Sequence, residues 1–184
     1  MVTGVNGSLR DMARRIEHHT TSPRSAEKVY GAMVDETYVR DRLAAIGGND
    51  AELVTFSSSE GKASYQLKQG VPAEHLPSMA RSLLGGDLVI QRVENWAAGA
   101  GTVEVTLNGV PGRLDGSFTI TDNGSGSKLT LTGEVKVSIP LVGGKLEKLI
   151  AEQVAVLLDK ESEFTSEWLA NRGLRRPAGP GALG

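Results

Sequence analysis

The segment RLDGSFTITDNGSGSKLTLTGEVKV, residues 113–137, decides the fold. On either side of Asp122-Asn123-Gly124-Ser125-Gly126, apolar and polar residues alternate with the period of two that belongs to half-buried strands. A glycine-rich turn between two such runs specifies a hairpin. Leu114, Phe118 and Ile120, then Leu129, Leu131, Val135 and Val137, fall on one face, with Val103, Val105 and Leu107 of the preceding run. The opposite face carries Asp115, Ser117, Thr119, Lys128, Thr130, Thr132, Glu134 and Lys136, so this antiparallel sheet is wetted on one side and needs a cover on the other.

The cover follows directly. After Ile139-Pro140, residues Leu141 to Leu169 carry Val142, Leu146, Leu149, Ile150, Val154, Leu157, Leu158, Phe164 and Trp168 at helical spacing. At 1.5 Å per residue such a helix runs about 40 Å, enough to cross a sheet. Its polar face is Lys145, Glu147, Lys148, Glu152, Asp159, Lys160 and Glu163.

Working upstream, Leu88 to Trp96 and Thr102 to Asn108 form a second hairpin around residues 99–101, and Leu53 to Ser58 with Lys62 to Gln69 a third around Glu60-Gly61. At the start of the chain, Ala13 to Thr21 reads as a strand. Ser22 and Pro23 serve as cap and first residue of a helix over 23–34, and a second helix, Glu36 to Ile46, stops at Gly47-Gly48. The expected class is α+β in the order β-α-α-β6-α, about seven strands in all. Residues 1–12 read as a flexible extension, 13–170 as the domain, and 171–184, with Arg175-Arg176-Pro177, as a disordered tail.

Composition narrows the function classes. A length of 184 residues with 39% apolar and 23% charged content suits one globular domain. Twenty basic against 22 acidic residues leave a net charge of −2, which argues against nucleic acid as a partner, and no apolar run approaches the ~20 residues of a membrane span, which argues against stable membrane insertion. There is no cysteine and the first residues lack a secretory apolar core, so the expected location is cytoplasmic. No sequence feature specifies an oligomeric state.

Three stretches carry a resemblance to known proteins: Gln69-Gly70-Val71-Pro72-Ala73-Glu74-His75-Leu76-Pro77, Glu94-Asn95-Trp96, and Ser138-Ile139-Pro140-Leu141-Val142-Gly143-Gly144-Lys145-Leu146-Glu147. With the element order, they make residues 13–170 resemble the START and Bet v 1-like (SRPBCC, helix-grip) superfamily, and more narrowly an actinobacterial family of uncharacterised START-like proteins. The resemblance implies a curved sheet wrapped around the C-terminal helix and a cavity between them, of the kind that holds lipids, sterols or polyketides. A few members catalyse cyclisation or dehydration there, but the resemblance does not imply a reaction.

The residues agree with a cavity. Only 4% are aromatic, and Gly116 and Gly133 at inward positions leave space and can serve as bend points. The expected lining is Tyr65, Met79, Leu83, Val103, Val105, Phe118, Leu131, Val135, Leu146, Leu149 and Ile150. Residues 71–86, too long for a tight turn, form either a lid over the cavity mouth or a packed connecting helix.

Candidate chemistry is sparse. Glu94 and Trp96 share a strand face; if it points inward, burial beside the indole raises the carboxyl toward the range of a general acid, with Tyr65 as its partner in catalysis. The alternative is that Glu94 is a surface residue or an ion-pair partner of Arg92 or Arg113, with Trp96 capping the edge of the core. His18 and His19 point to opposite faces and His75 lies in a loop, so no metal site is expected. No nucleophile elbow or phosphate loop is present, and no cofactor is expected. Three readings stand: a carrier of an apolar small molecule, a cyclase or dehydratase using Glu94, and a protein-interaction module.

Overall fold

The structure, a computed structural model, describes residues 13–174. The expected N-terminal extension, 1–12, and the part of the expected tail that includes Arg175-Arg176 lie outside the described residues. The elements are β1 (Arg14–Ser22), α1 (Ala26–Met33), α2 (Glu36–Ile46), β2 (Glu52–Ser59), β3 (Lys62–Val71), a single 3-10 turn (Ala73–His75), α3 (Ser78–Leu84), β4 (Leu88–Ala97), β5 (Ala100–Leu107), β6 (Gly112–Asp122), β7 (Ser127–Val137) and α4 (Gly143–Leu174).

All strand pairs are antiparallel, in the spatial order β1-β7-β6-β5-β4-β3-β2. The first two strands are therefore the two edges. The chain crosses from one edge to the other through α1 and α2, which close one end of the groove that α4 fills. α4 packs on β1 and β7 and against α2. The fold is the α+β helix-grip arrangement that the alternation and the long apolar stripe require.

The hairpins use the turns their strands need. Glu60 and Gly61 have φ of 52° and 74°, and Ala98 and Gly99 have 52° and 77°, two consecutive left-handed residues that match the twist of the flanking strands. The second turn is thus at 98–99, earlier than residues 99–101. Helix α1 is capped by Ser25, whose side chain accepts from the Lys28 amide; Ser22 ends β1 and its Oγ accepts from the Arg24 amide, so the cap lies three residues beyond the expected Ser22.

Both ends of α4 differ from expectation. Leu141 has φ of 71° and is fully exposed, so the helix starts only at Gly143. At the other end it continues past residue 170 to Leu174, because α2 holds it. Trp168 Nε1 donates to Asp41 (2.8 Å), Arg172 donates to Asp35 (2.8 Å), and the Arg172 guanidinium lies 4.3 Å from the Trp168 ring centre. Residues 171–174 are helix, not tail.

Gly116 and Gly133 face each other across β6 and β7. They do not leave space. A Cβ on Gly133 would lie 2.4 Å from the Asp115 carbonyl oxygen and 2.8 Å from Gly116 Cα, and one on Gly116 would lie 2.8 Å from Leu131 Cδ1. The pair permits close approach of two backbones, and the volume above the sheet comes from elsewhere. Gly133→Ala is expected to destabilise by about 1–3 kcal/mol or more, read from the urea midpoint, because backbone must move. Gly144→Ala, whose Cβ meets nothing within 4 Å, should cause no loss.

Candidate functional site

The aromatic side chains are not spread through the interior. Trp96 stacks on Phe118 with ring centres 5.2 Å apart, Tyr30 meets the Trp96 edge at 6.3 Å, Phe56 stacks on Tyr65 at 5.6 Å, and Tyr38 packs on Phe164 at 5.9 Å and Trp168 at 5.2 Å. These pairs fill the space under α1, α2 and the C-terminal half of α4.

At their centre lies a buried cluster of four charges. Alternation on β4 turns Arg92, Glu94 and Trp96 inward, while Arg42 comes from the buried face of α2 and Glu161 from α4. Arg92 donates from Nη1 and Nη2 to the two oxygens of Glu161 at 2.7 and 3.2 Å. Its Nε lies 2.6 Å from Glu94 Oε1, but the N–H is not aimed along that contact, which is a charge contact rather than a hydrogen bond. Arg42 donates to Glu94 Oε1 at 3.2 Å and lies 3.9 Å from Glu161. Glu94 Oε2 accepts from Tyr65 OH at 2.8 Å and Trp96 Nε1 at 2.7 Å. Tyr65 stands directly across from Glu94 in the β3–β4 register. Thr165 gives its hydroxyl proton to the Glu161 carbonyl at 2.6 Å, so Tyr38 OH is the donor in their 2.7 Å bond.

Two positive and two negative charges balance. Burial pushes the Glu94 carboxyl up, but Arg92 and Arg42, with the hydrogen bonds from Trp96 and Tyr65, outweigh it and hold the group at about 2. Burial, and then the Glu94 anion, push the Tyr65 hydroxyl well above its ordinary value. Burial favours a neutral Arg42, yet Glu161 and Glu94 raise it well above the usual arginine value.

Glu94 is therefore the ion-pair partner of Arg92, not a raised acid. Three hydrogen bonds and the Arg92 charge contact surround its two oxygens, and its side chain is fully buried. The other expected partner, Arg113, lies on the outer face and pairs with Asp115 (2.7 Å) and Glu104 (2.9 Å).

Beside this packed end the interior opens. A cavity of about 730 Å³ lies between the sheet, α3 and α4. Of the expected lining residues, Leu83, Val103, Val105, Phe118, Leu131, Val135, Leu146, Leu149 and Ile150 all border it, whereas Tyr65 and Met79 do not. Tyr65 is committed to Glu94 and Phe56, and Met79 packs against the core. Leu76, Pro77, Ala80 and Leu84 complete the wall from the 71–86 segment, a short helix packed over the cavity. Leu83 and Val156, each about half-exposed, border it and mark its mouth between α3 and α4. Phe118 is the only Phe, Tyr or Trp in the lining.

A second void of about 30 Å³, room for one or two water molecules, lies on the far side of the charge cluster. Glu94 and Glu161 border only this one; Arg92, Phe118 and Leu158 border both and form the partition. No group of three metal-ligating side chains occurs among the described residues. His18 bonds Asp159 (2.8 Å) and His19 bonds Thr130 (3.1 Å), on opposite faces of β1.

A seven-stranded antiparallel sheet closed on one long C-terminal helix, with a void between them, defines the helix-grip fold. Within it, the chain belongs to the family described as Protein of unknown function (DUF2505), whose profile matches residues 17–169. The uncharacterised protein Rv0481c of Mycobacterium tuberculosis is 31% identical over 159 residues, covering 80% of this chain and 91% of its own. Among solved structures, TTHA0849 of Thermus thermophilus superposes with a TM-score of 0.59 at 15% identity, covering 86% of this chain and 99% of that one. A START superfamily protein of Mycobacterium smegmatis gives 0.56 at 18%, covering 84% and 98%. The Zhui aromatase/cyclase of a Streptomyces species gives 0.52 at 13%, covering 92% and 100%. At these identities the likeness is one of fold.

The cluster makes a pH-dependent prediction. Glu94 has a folded value of about 2 against an ordinary 4.5, so its contribution, about 3 kcal/mol, is fully present above pH 4.5 and is lost as pH falls from there toward 2. Glu94→Gln turns an amide NH₂ toward groups that are all donors and leaves the arginines undercompensated, at a cost of about 3–5 kcal/mol near pH 7. Urea unfolding at pH 7 and at pH 3 should show the variant's deficit shrinking at the lower pH.

Proposed function

We propose that the protein binds and carries an apolar small molecule of lipid, sterol or polyketide size in the cavity between sheet and α4. The observation that carries this reading is the cavity of about 730 Å³, inside the 300–1,000 Å³ range of ligand sites, with a wall of Val, Leu and Ile side chains. An apolar hollow of that volume forfeits packing that a close-packed interior would have, and a ligand restores it.

The same geometry speaks against a cyclase or dehydratase. Such chemistry needs an acid or base that reaches substrate. Glu94 and Tyr65 do not border the large cavity; the one is held as an anion by four partners, and the other keeps its proton. The likeness to an aromatase/cyclase concerns fold and does not transfer its reaction. An interaction module has less support, because two of the four exposed large hydrophobic residues among the described residues, Leu83 and Val156, belong to the cavity mouth, leaving Val54 and Leu141.

Cytoplasmic residence is part of the proposal, supported by the cysteine-free sequence. No helix among the described residues is long and apolar enough to cross a membrane.

Native mass spectrometry of protein purified from its own host, followed by denaturing extraction, is expected to find one apolar molecule per chain. Leu149→Trp, which places a large ring in the cavity, should lower binding of the extracted molecule roughly tenfold with little change in the urea midpoint. A protein that arrives empty and binds no lipid of a broad panel would shift the reading to partner binding.

A further inference from the structure

The charges around the cavity are one-sided. In a chain with 22 acidic and 20 basic residues, the Arg, Lys, Asp and Glu side chains that border it among the described residues are Arg92, Arg113 and Lys160, with no Asp or Glu. Arg113 is half-exposed and its Nε and Nη2 are already committed to Asp115 and Glu104. The other two border the cavity at the same level of α4. Arg92 is bonded to Glu161, and Lys160 precedes Glu161 on α4, so both stand at the same turn of the helix.

Their capacities differ in a useful way. Arg92 gives one N–H from each terminal nitrogen to Glu161 and sets its Nε against Glu94, which leaves two of its five donors uncommitted. The four-charge cluster is neutral as a whole, so it neither attracts nor repels an incoming charge at range. Lys160 is exposed, has no ion-pair partner among the described residues, and lies one turn from Val156 at the mouth, on the same helix face. One unbalanced positive charge therefore overlooks the apolar hollow beside a guanidinium with spare donors. From there the lining runs along α4 to Leu146, about 21 Å of helix axis, becoming aliphatic through Val154, Ile150 and Leu149.

Resting on the carrier reading above, we infer that the ligand is an anionic amphiphile: its acidic head, of the carboxylate type, sits at the turn of Arg92 and Lys160, and its apolar body extends toward Leu146. A carboxylate accepts charge-assisted hydrogen bonds from both side chains, next to low-dielectric walls where they are strong. A neutral lipid of equal length fills the same volume but leaves Lys160 unmatched.

The test uses the full chain loaded with the neutral dye Nile red, displaced by hexadecanoic acid or by hexadecan-1-ol. The acid is expected to compete roughly tenfold more tightly than the alcohol, and Lys160→Glu, an exposed change that leaves the buried cluster intact, is expected to erase most of that difference while leaving the alcohol unaffected. Added salt should weaken the acid alone. Equal affinities for acid and alcohol in the wild type, or an equal loss of both in Lys160→Glu, would overturn the head-group assignment while the carrier reading stood. Failure of the dye and of both lipids to bind would remove the carrier reading itself, and the inference with it.

Discussion

The structure depends on one buried arrangement, in which Arg42, Arg92, Glu94 and Glu161 bring α2, β4 and α4 to a common point. They come from three segments far apart in the chain, around residues 42, 92–94 and 161, and each charge is tolerable in the interior only because the others are there. Removing four charges from water is expensive, and an apolar substitute of the same shape would serve stability as well. What the cluster supplies is position. Bidentate geometry between Arg92 and Glu161 fixes both the rotation of α4 about its axis and its height over β4, which an aliphatic contact would leave free to slide.

With α4 fixed at that point, the division of the interior follows. Aromatic rings pack around the cluster: Tyr38 against Phe164 and Trp168, and Trp96 against Phe118. Few rings remain for the rest of the chain, which has eight Phe, Trp and Tyr residues in total. Gly116 and Gly133, facing each other across β6 and β7, add no side chain to the interior at that point. Between the N-terminal half of α4 and the strands the gap is bordered chiefly by Val, Leu and Ile side chains, which leave it unfilled.

Much of this was legible from periodicity. Alternation in residues 113–137 and the stripe from Leu146 to Trp168 depend only on which side of an element meets water, and that signal is strong in half-buried strands and long helices. Most of the expected cavity residues could be named for the same reason. The charge cluster was less legible, although its trace is in the sequence. Arg42 falls among Tyr38, Val39 and Leu43 on the buried face of α2; Glu161 lies seven residues after Val154 and four after Leu157, on the apolar stripe of α4; and Arg92 shares the phase of Trp96. A charged residue at a core position is an anomaly that demands a partner, and four at once demand one another. What sequence could not supply is the pairing, because contacts between residues 42, 92 and 161 are set by how three elements cross. Gly133 misled for a related reason: a missing side chain reads as space, whereas here a neighbouring backbone occupies it.

The contrast between the two ends also bears on what kind of site this is. A catalytic carboxyl must exchange protons at working pH and must reach substrate, and both requirements are defeated by a group held near pH 2 and sealed behind Arg92. Ionised and ringed by Arg92, Arg42, Tyr65 and Trp96, Glu94 is committed to the packing of this end. Binding asks instead for a fixed floor and a wall that can be displaced at small cost, and the other end provides the second. Helix α3 has seven residues, no side-chain cap at its start, and glycines at 85 and 86 after its end. A helix so short does not hold itself together in water, so it stands by its apolar contacts with the core and cavity wall. A helix that depends on its packing thus lies beside the mouth, while the hydrogen-bonded charge cluster backs the inner partition.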